Sequence, residues 1–431
     1  METLDEACET TAQWVLARAK ELARTSGIPR LLENRTNYEE NRITHGAQLV
    51  AAPRLLINQL YDSGIWRSPE IRRWIDVHLQ AGLLNASTGS TVDQASEDDL
   101  RNWSWILLNP LGFLIEKRET LDLTSAEVVE TYRRFRNVWR GKSCCEVIVP
   151  LLGVQGDLTA PVKLGDVYEL SQFTPKEKNR LAGRWLNQEI MPAGALQRAK
   201  FKLSFAKEYN QKDEGDLQWA IQTEAERVIS ALRLAGPGRI GAPAFFQSRE
   251  DSGLSVTAQN LPNLSVPEFI PKPLLLDSDI IKRTHANCAL LVAARSDAPE
   301  FELQVSLRRF NQAYSRDNLE DPVLDYTIAL ESCLLRGLND ELSYRFSMRG
   351  AAVVVGRRDP VKVQSDLKRI YNARSKIVHE GRMPNPDLAE LCNELSRVIL
   401  LCYLERLASG ESVKAISEKL DRQIVQALQC S

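Results

Sequence analysis

The chain has 431 residues, 43% apolar and 26% charged, with a formal charge of −2, a balance that excludes a fibrous or disordered protein and leaves an ordinary globular one. At that length two or three domains are expected. A near-neutral total says little about partners, so charge has to be taken segment by segment.

The acidic opening METLDEACETTAQW lacks the basic and then apolar character of a secretory signal. The uncharged run VILLCYL, Val398 to Leu404, is far short of the roughly 20 residues that cross a bilayer. A cytoplasmic location without a membrane span is expected. Residues 1–140 are expected to be helical, because TAQWVLARAKELA and SAEVVETYRRFRNVW space their apolar residues by three and four. Ser125 is the expected N-cap of the second helix. NASTGSTVDQASEDD between them has the composition of a surface loop.

Residues 141–300 change texture. CCEVIVPLLGV, PVKLGDVYEL and KFKLSFAKEY are rich in β-branched and aromatic residues and predict strands. DLQWAIQTEAERVISALRL predicts a helix stopped at Gly236 and Pro237. The Pro-rich NLPNLSVPEFIPKPLLL resists both helix and interior strand. Eight cysteines are scattered without a C-x-x-C pair or a zinc-type Cys/His spacing, so reduced, mostly buried thiols are expected, and neither metal nor other cofactor. Cys144 and Cys145, adjacent on a strand, should face opposite ways.

Residues 301–431 predict a bundle of five or six helices. Pro322 and Pro386 suit first turns there, and Gly337, Gly381 and Gly410 suit helix ends. The expected fold is α+β overall and mainly α: a helical N-terminal region, a mixed α/β middle region and a C-terminal helical bundle.

Within this bundle the segment YNARSKIVHEG holds one of the four histidines of the chain. The apolar stripe Leu367, Ile370, Tyr371, Ile377 and Val378 includes Arg374, which takes a position the pattern reserves for an apolar side chain. A guanidinium turned toward a core needs a compensating acid or a bound anion. His379 ends the helix, where the partial negative charge of the backbone favours its protonated form. A fixed cation and a titratable imidazole together are what phosphodiester cleavage without a metal requires: one stabilises charge on phosphorus, the other moves protons. With RNA the 2′-hydroxyl serves as nucleophile and leaves a cyclic phosphate.

The spacing alone is weak, because Arg73 and His78 in IRRWIDVHLQ repeat it on what reads as a surface helix. Charge separates the two copies. Between Glu341 and Arg382 ten basic residues face four acidic ones, a local +6, which would draw a polyanion unless acids elsewhere cancel it. Few aromatics interleave this run, so base stacking is not indicated. Glu331 falls on the apolar stripe of Leu324, Ile328 and Leu335 and calls for a basic partner: Arg345, Arg349 or Arg374.

The succession DYTIALESCLL, ELSYRFSMRGAAVVV and RIYNARSKIVHEG resembles the HEPN superfamily, in particular its Apea-like branch, over about a third of the chain. The resemblance implies an all-α bundle that dimerises to form a composite cleft, and commonly a metal-independent endoribonuclease of bacterial defence or toxin systems. It assigns the active pair to Arg374 and His379, and supporting positions to Tyr371, Ser375, Lys376, Glu331 and Arg345. It leaves the upstream 300 residues a role in sensing or restraint. The sequence departs from the motif at Glu380, which stands between His379 and Gly381 where the family has the glycine directly. The alternative expectation is a non-catalytic nucleotide- or RNA-binding module.

Overall fold

The computed structural model describes residues 3–39, 42–51, 53–81, 83–84, 92–118, 120–139, 142–184, 190–210, 214–249, 256–261, 264–266, 272–296, 301–318, 320–338, 340–381, 385 and 387–429. It is mainly helical with a small antiparallel sheet, as the α+β expectation requires. Pro386, Arg382, Cys430 and most of the expected loop before Val92 lie outside the described residues.

The N-terminal region is built on α1 (Leu4–Ser26), β1 (Arg30–Glu39), β2 (Arg42–Ala51), α2 (Arg54–Asp62), α3 (Pro69–Gln80), α4 (Glu97–Arg118) and α5 (Ser125–Trp139). Thr3 and Glu6 close α1 with reciprocal side-chain to backbone bonds. Thr124, not Ser125, caps α5: its hydroxyl accepts from the Glu127 amide at 3.3 Å while the Glu127 carboxylate accepts the Thr124 N–H at 2.9 Å. The β1–β2 hairpin, paired from Arg30 with Ala51 to Glu39 with Arg42, corrects the all-helical expectation. Its strands LENRTNYE and RITHGAQ lack the alternation that signals a half-buried strand, and backbone hydrogen bonding does not need it.

A second correction concerns α3. It is not a surface helix: Ile71, Trp74, Ile75 and His78 are buried in a core running from Ala7 to Tyr132. A histidine reads as polar in a pattern count, and here its ring nitrogens are satisfied inside.

The middle region contains β3 (Lys142–Leu151), β4 (Val154–Gly156), β5 (Val162–Leu164), β6 (Tyr168–Gln172), α6 (Pro175–Arg184), α7 (Ile190–Arg198), β7 (Phe201–Asn210), α8 (Glu214–Ala235), β8 (Ala244–Arg249), β9 (Val256–Asn260), β10 (Leu274–Leu276) and α9 (Ser278–Ala293). Six strands form one antiparallel sheet in the order β5-β6-β7-β3-β8-β9. Cys145 is buried on β3 and Cys144 only half-buried, as alternation demands. The end of the Pro-rich tract does form a strand, contrary to expectation: β10 pairs in parallel with β4, outside the main sheet. Its three leucines follow the last proline, so their amides are free to pair. Helix α9 has no counterpart in the predicted elements. Its buried face mixes Thr284 and Asn287 with Ile280, Cys288 and Leu291, which blurs the apolar period.

The bundle comprises α10 (Gln304–Ala313), α11 (Glu320–Leu334), α12 (Leu342–Val353), α13 (Pro360–Glu380), α14 (Leu388–Ala408) and α15 (Val413–Gln429). Gly337, Gly381 and Gly410 end helices with φ of 76°, 65° and 91°, a conformation that suits glycine. A single buried cluster extends from Cys145 to Leu420, so sheet, α8 and bundle share one core. Helix α8 packs on β7, α9, α10 and α14 and joins them. Among the described residues no helix is long and apolar enough to cross a membrane.

Candidate functional site

The candidate site is carried by α13, whose ends are set locally. Asp359 accepts from the amides of Val361 and Lys362, Pro360 occupies the first turn, and the Gly381 amide returns to the Ile377 carbonyl. This stop places His379 in the last turn. Val363, Asp366, Leu367, Ile370, Ala373 and Ile377 form the buried face. The opposite face exposes Lys362, Ser365, Arg369, Asn372, Lys376 and His379, spaced by three and four so that they stack in one polar stripe. No acid stands in that stripe.

Arg374 lies on the flank between the two faces, its side chain 35% exposed. Its Nε is 3.7 Å from Oε1 of Glu331 on α11. Of the three partners considered for Glu331, Arg374 is therefore the one it meets. Glu331 is not fully inward, because the buried face of α11 is Val323, Tyr326, Leu330 and Cys333, while Leu324, Ile328, Glu331 and Leu335 form its half-buried flank. Burial pushes the Glu331 carboxyl above the usual carboxylate range, and the Arg374 charge partly counters this.

Five residues of α-helix separate Arg374 from His379 by about 140° around the axis and about 7.5 Å along it. The sector between them holds half-buried Tyr371 and Ser375 and exposed Val378. Val378 is 53% exposed, a departure from the predicted stripe, while the Tyr371 ring packs 5.3 Å from that of Phe346 on α12. Lys376 is exposed on the polar stripe beside His379. Arg345 does not meet Glu331. Its Nε is 3.8 Å from Oε2 of Glu341 on its own helix. Arg349 binds Asp421 of α15 through two bonds of 2.8 and 2.6 Å and donates to the Leu334 carbonyl, holding the Asp421 carboxyl below its usual range.

The +6 excess is therefore largely answered from outside the segment in which it was counted. Arg349, Arg357, Arg358 and Arg374 pair with Asp421, Glu405, Glu394 and Glu331. Lys362, Lys368 and Lys376 stay exposed on α13, so the polyanion-attracting surface is narrower than the count implies and follows one helix. Asp421 had no signal in the sequence, since nothing in LDRQIV distinguishes it from an ordinary surface acid.

Among the described residues no group of three or more His, Cys, Asp or Glu side chains is placed to hold a metal ion, and the seven described cysteines are free thiols. Compared with protein-family models, with curated proteins and with solved structures, the chain matches none.

Proposed function

We propose that the protein is a cytoplasmic, metal-independent endoribonuclease of a bacterial defence or toxin type. It acts as a homodimer through its C-terminal bundle, and the 2′-hydroxyl of the substrate is the nucleophile. His379 moves the proton to and from the reacting oxygens, and Arg374 clamps the phosphoryl group. The observation that carries this reading is the arrangement on α13: a guanidinium held on one flank by Glu331, and an exposed imidazole at the end of a stripe that carries Lys362, Lys376 and Arg369, the last paired with Asp366 at 3.1 Å. On a single helix the two groups look in different directions. A second copy packed on the Tyr371–Val378 sector supplies the complementary group, as a composite cleft requires. Tyr371 and Ser375 line that sector, and Lys376 steers RNA to it.

The test is incubation of wild type, Arg374→Ala and His379→Ala with single-stranded RNA, tRNA and single-stranded DNA, with and without chelator. Cleavage of RNA alone, insensitive to chelator, with cyclic phosphate ends and lost in both variants, is the expected result. Equal cleavage by all three proteins removes the proposal.

A second reading is favoured by the Glu331–Arg374 pair itself. An arginine already engaged by a half-buried acid suits a structural or anchoring role, and Glu380 adds a negative charge beside His379. In that case the stripe binds RNA or a nucleotide without turnover. RNA binding at the stripe with no cleavage product in any condition selects this reading.

A further inference from the structure

We infer that the groove between α8 and α10 is a separate binding site for a free mononucleotide, meaning a planar heteroaromatic base carrying a phosphate. The groove has a volume of about 460 Å³, within the range of small-molecule sites. Two helices supply most of its lining, and Leu264, Leu291 of α9, Ser296 and Phe301 close the rest. Trp219, Thr223, Glu226 and Ser230 recur on α8 at steps of three and four, as do Gln304, Leu307 and Asn311 on α10, with Arg308 beside Leu307.

Three observations define the ligand. First, Trp219 is 59% exposed although it forms a wall of the groove. An isolated exposed apolar residue needs no explanation, but one standing over a concave surface offers an uncovered stacking face, the kind of platform that takes nucleobases without regard to sequence. Glu226 on the same wall supplies an acceptor for the amino or ring N–H groups of a base; its Oε1 accepts from the Gln222 side-chain amide at 2.9 Å.

Second, Arg308 is exposed on the opposite rim, placed to take a phosphate. Arg227, also at the groove, is engaged by Glu224 at 2.6 Å and by the Tyr168 hydroxyl, so Arg308 is the better clamp.

Third, a positive charge sits behind the floor. Arg233 is fully buried, and its guanidinium donates to the carbonyl oxygens of Ile240, Asn311 and Leu264 and to Oδ1 of Asn311. It also stacks over Tyr314 at 4.4 Å. All these acceptors are neutral. Leu264 and Asn311 also line the groove, so the field of a buried cation reaches the ligand through one layer of atoms. Such a charge in a low-dielectric site favours an anion there; the Glu226 carboxylate on the wall answers part of it, so the buried charge adds to the pull of Arg308 and does not replace it.

The location also suggests why such a site exists. One wall belongs to α8 of the sheet region, the other to α10 of the bundle, and Asn311 ties them by donating to the Ser230 hydroxyl at 2.8 Å. A bound nucleotide would brace the two regions against each other. This inference does not depend on the ribonuclease reading, because neither Arg374 nor His379 takes part.

Titration calorimetry of the full chain with AMP, GMP, CMP and UMP tests it, with adenosine and inorganic phosphate in separate arms. At least one mononucleotide should bind once per chain and more tightly than either of its two parts. Trp219→Ala and Arg308→Glu should each weaken it at least about fivefold, and both positions are exposed, so circular dichroism should show the fold intact. Absence of binding by all four at millimolar concentration overturns the inference. So does affinity unchanged in both variants, or binding of phosphate alone as tight as that of the nucleotide.

Discussion

Helices α3 and α13 carry the same R-x-x-x-x-H spacing and use it in opposite ways. On α3 the arginine is exposed and the histidine buried: His78 sits in the N-terminal core with Nδ1 2.9 Å from the Trp74 carbonyl and Nε2 3.7 Å from the Cys8 sulfur. Burial pushes its pKa down to about 4 and that of the Cys8 thiol up to about 11. On α13 the arginine is the half-buried partner and the histidine is fully in reach of solvent. The lesson is that a spacing fixes only the angle between two side chains. Which of them is offered to a substrate depends on how the helix is rotated against its neighbours.

The sharpest way to break this comparison is by exchange of roles. His379→Ala should lower RNA cleavage by about 100-fold or more and leave the urea midpoint unmoved, whereas Arg73→Ala should leave cleavage unchanged. Loss of cleavage in Arg73→Ala, or none in His379→Ala, would place the chemistry on the wrong helix.

His78→Ala should do the reverse, destabilising the N-terminal core by about 3 kcal/mol through the cavity left by the buried ring. Urea unfolding followed by tryptophan fluorescence reads this directly, since six of the eight tryptophans lie at or before Trp139. The same histidine predicts acid sensitivity. Because its folded pKa of about 4 lies below the ordinary 6.5, the unfolded chain takes up the proton first. The stabilisation is complete above pH 6.5 and lost as pH falls toward 4, by up to about 3 kcal/mol. A fluorescence midpoint independent of pH between 7 and 4.5 contradicts a buried neutral His78.

Gly350→Ala probes the rotation of α13 itself. A Cβ at that position would stand 2.2 Å from Leu367 Cδ1, with Ile399 and Leu334 close behind, so α13 or its leucine must move at a cost of about 1–3 kcal/mol. Cleavage should fall with it, while tryptophan fluorescence of the N-terminal core holds. The smallest effects belong to the polar stripe: Lys362→Ala and Lys376→Ala should each reduce the salt dependence of RNA binding by about one counterion. Unchanged slopes in both would move the RNA path off α13.

Much of the bundle was legible because its helices are amphipathic and punctuated, with Gly381 marking the end of α13 before any fold is known. The β1–β2 hairpin and α9 were not, since one lacks alternation and the other buries Thr284 and Asn287 among apolar residues. In the candidate site, Arg374 and Glu331 stood out as charges on apolar stripes, and they do meet. The groove of Trp219 and Arg308 left no trace in the sequence, because its two walls are distant in the chain and each residue is unremarkable on its own helix.

What the sequence determined by itself is local: the helices of the bundle, the strand runs of the middle region, and the placing of Arg374 and His379 near the end of one helix. Periodicity, caps and turn residues act over a few positions, and the chain states them directly. Tertiary structure alone decided which acid answers which arginine, which histidine is hidden, and that the basic excess shrinks to a few exposed lysines on α13. These are pairings across long loops, set by how packed faces rotate against one another, and no local pattern records that rotation.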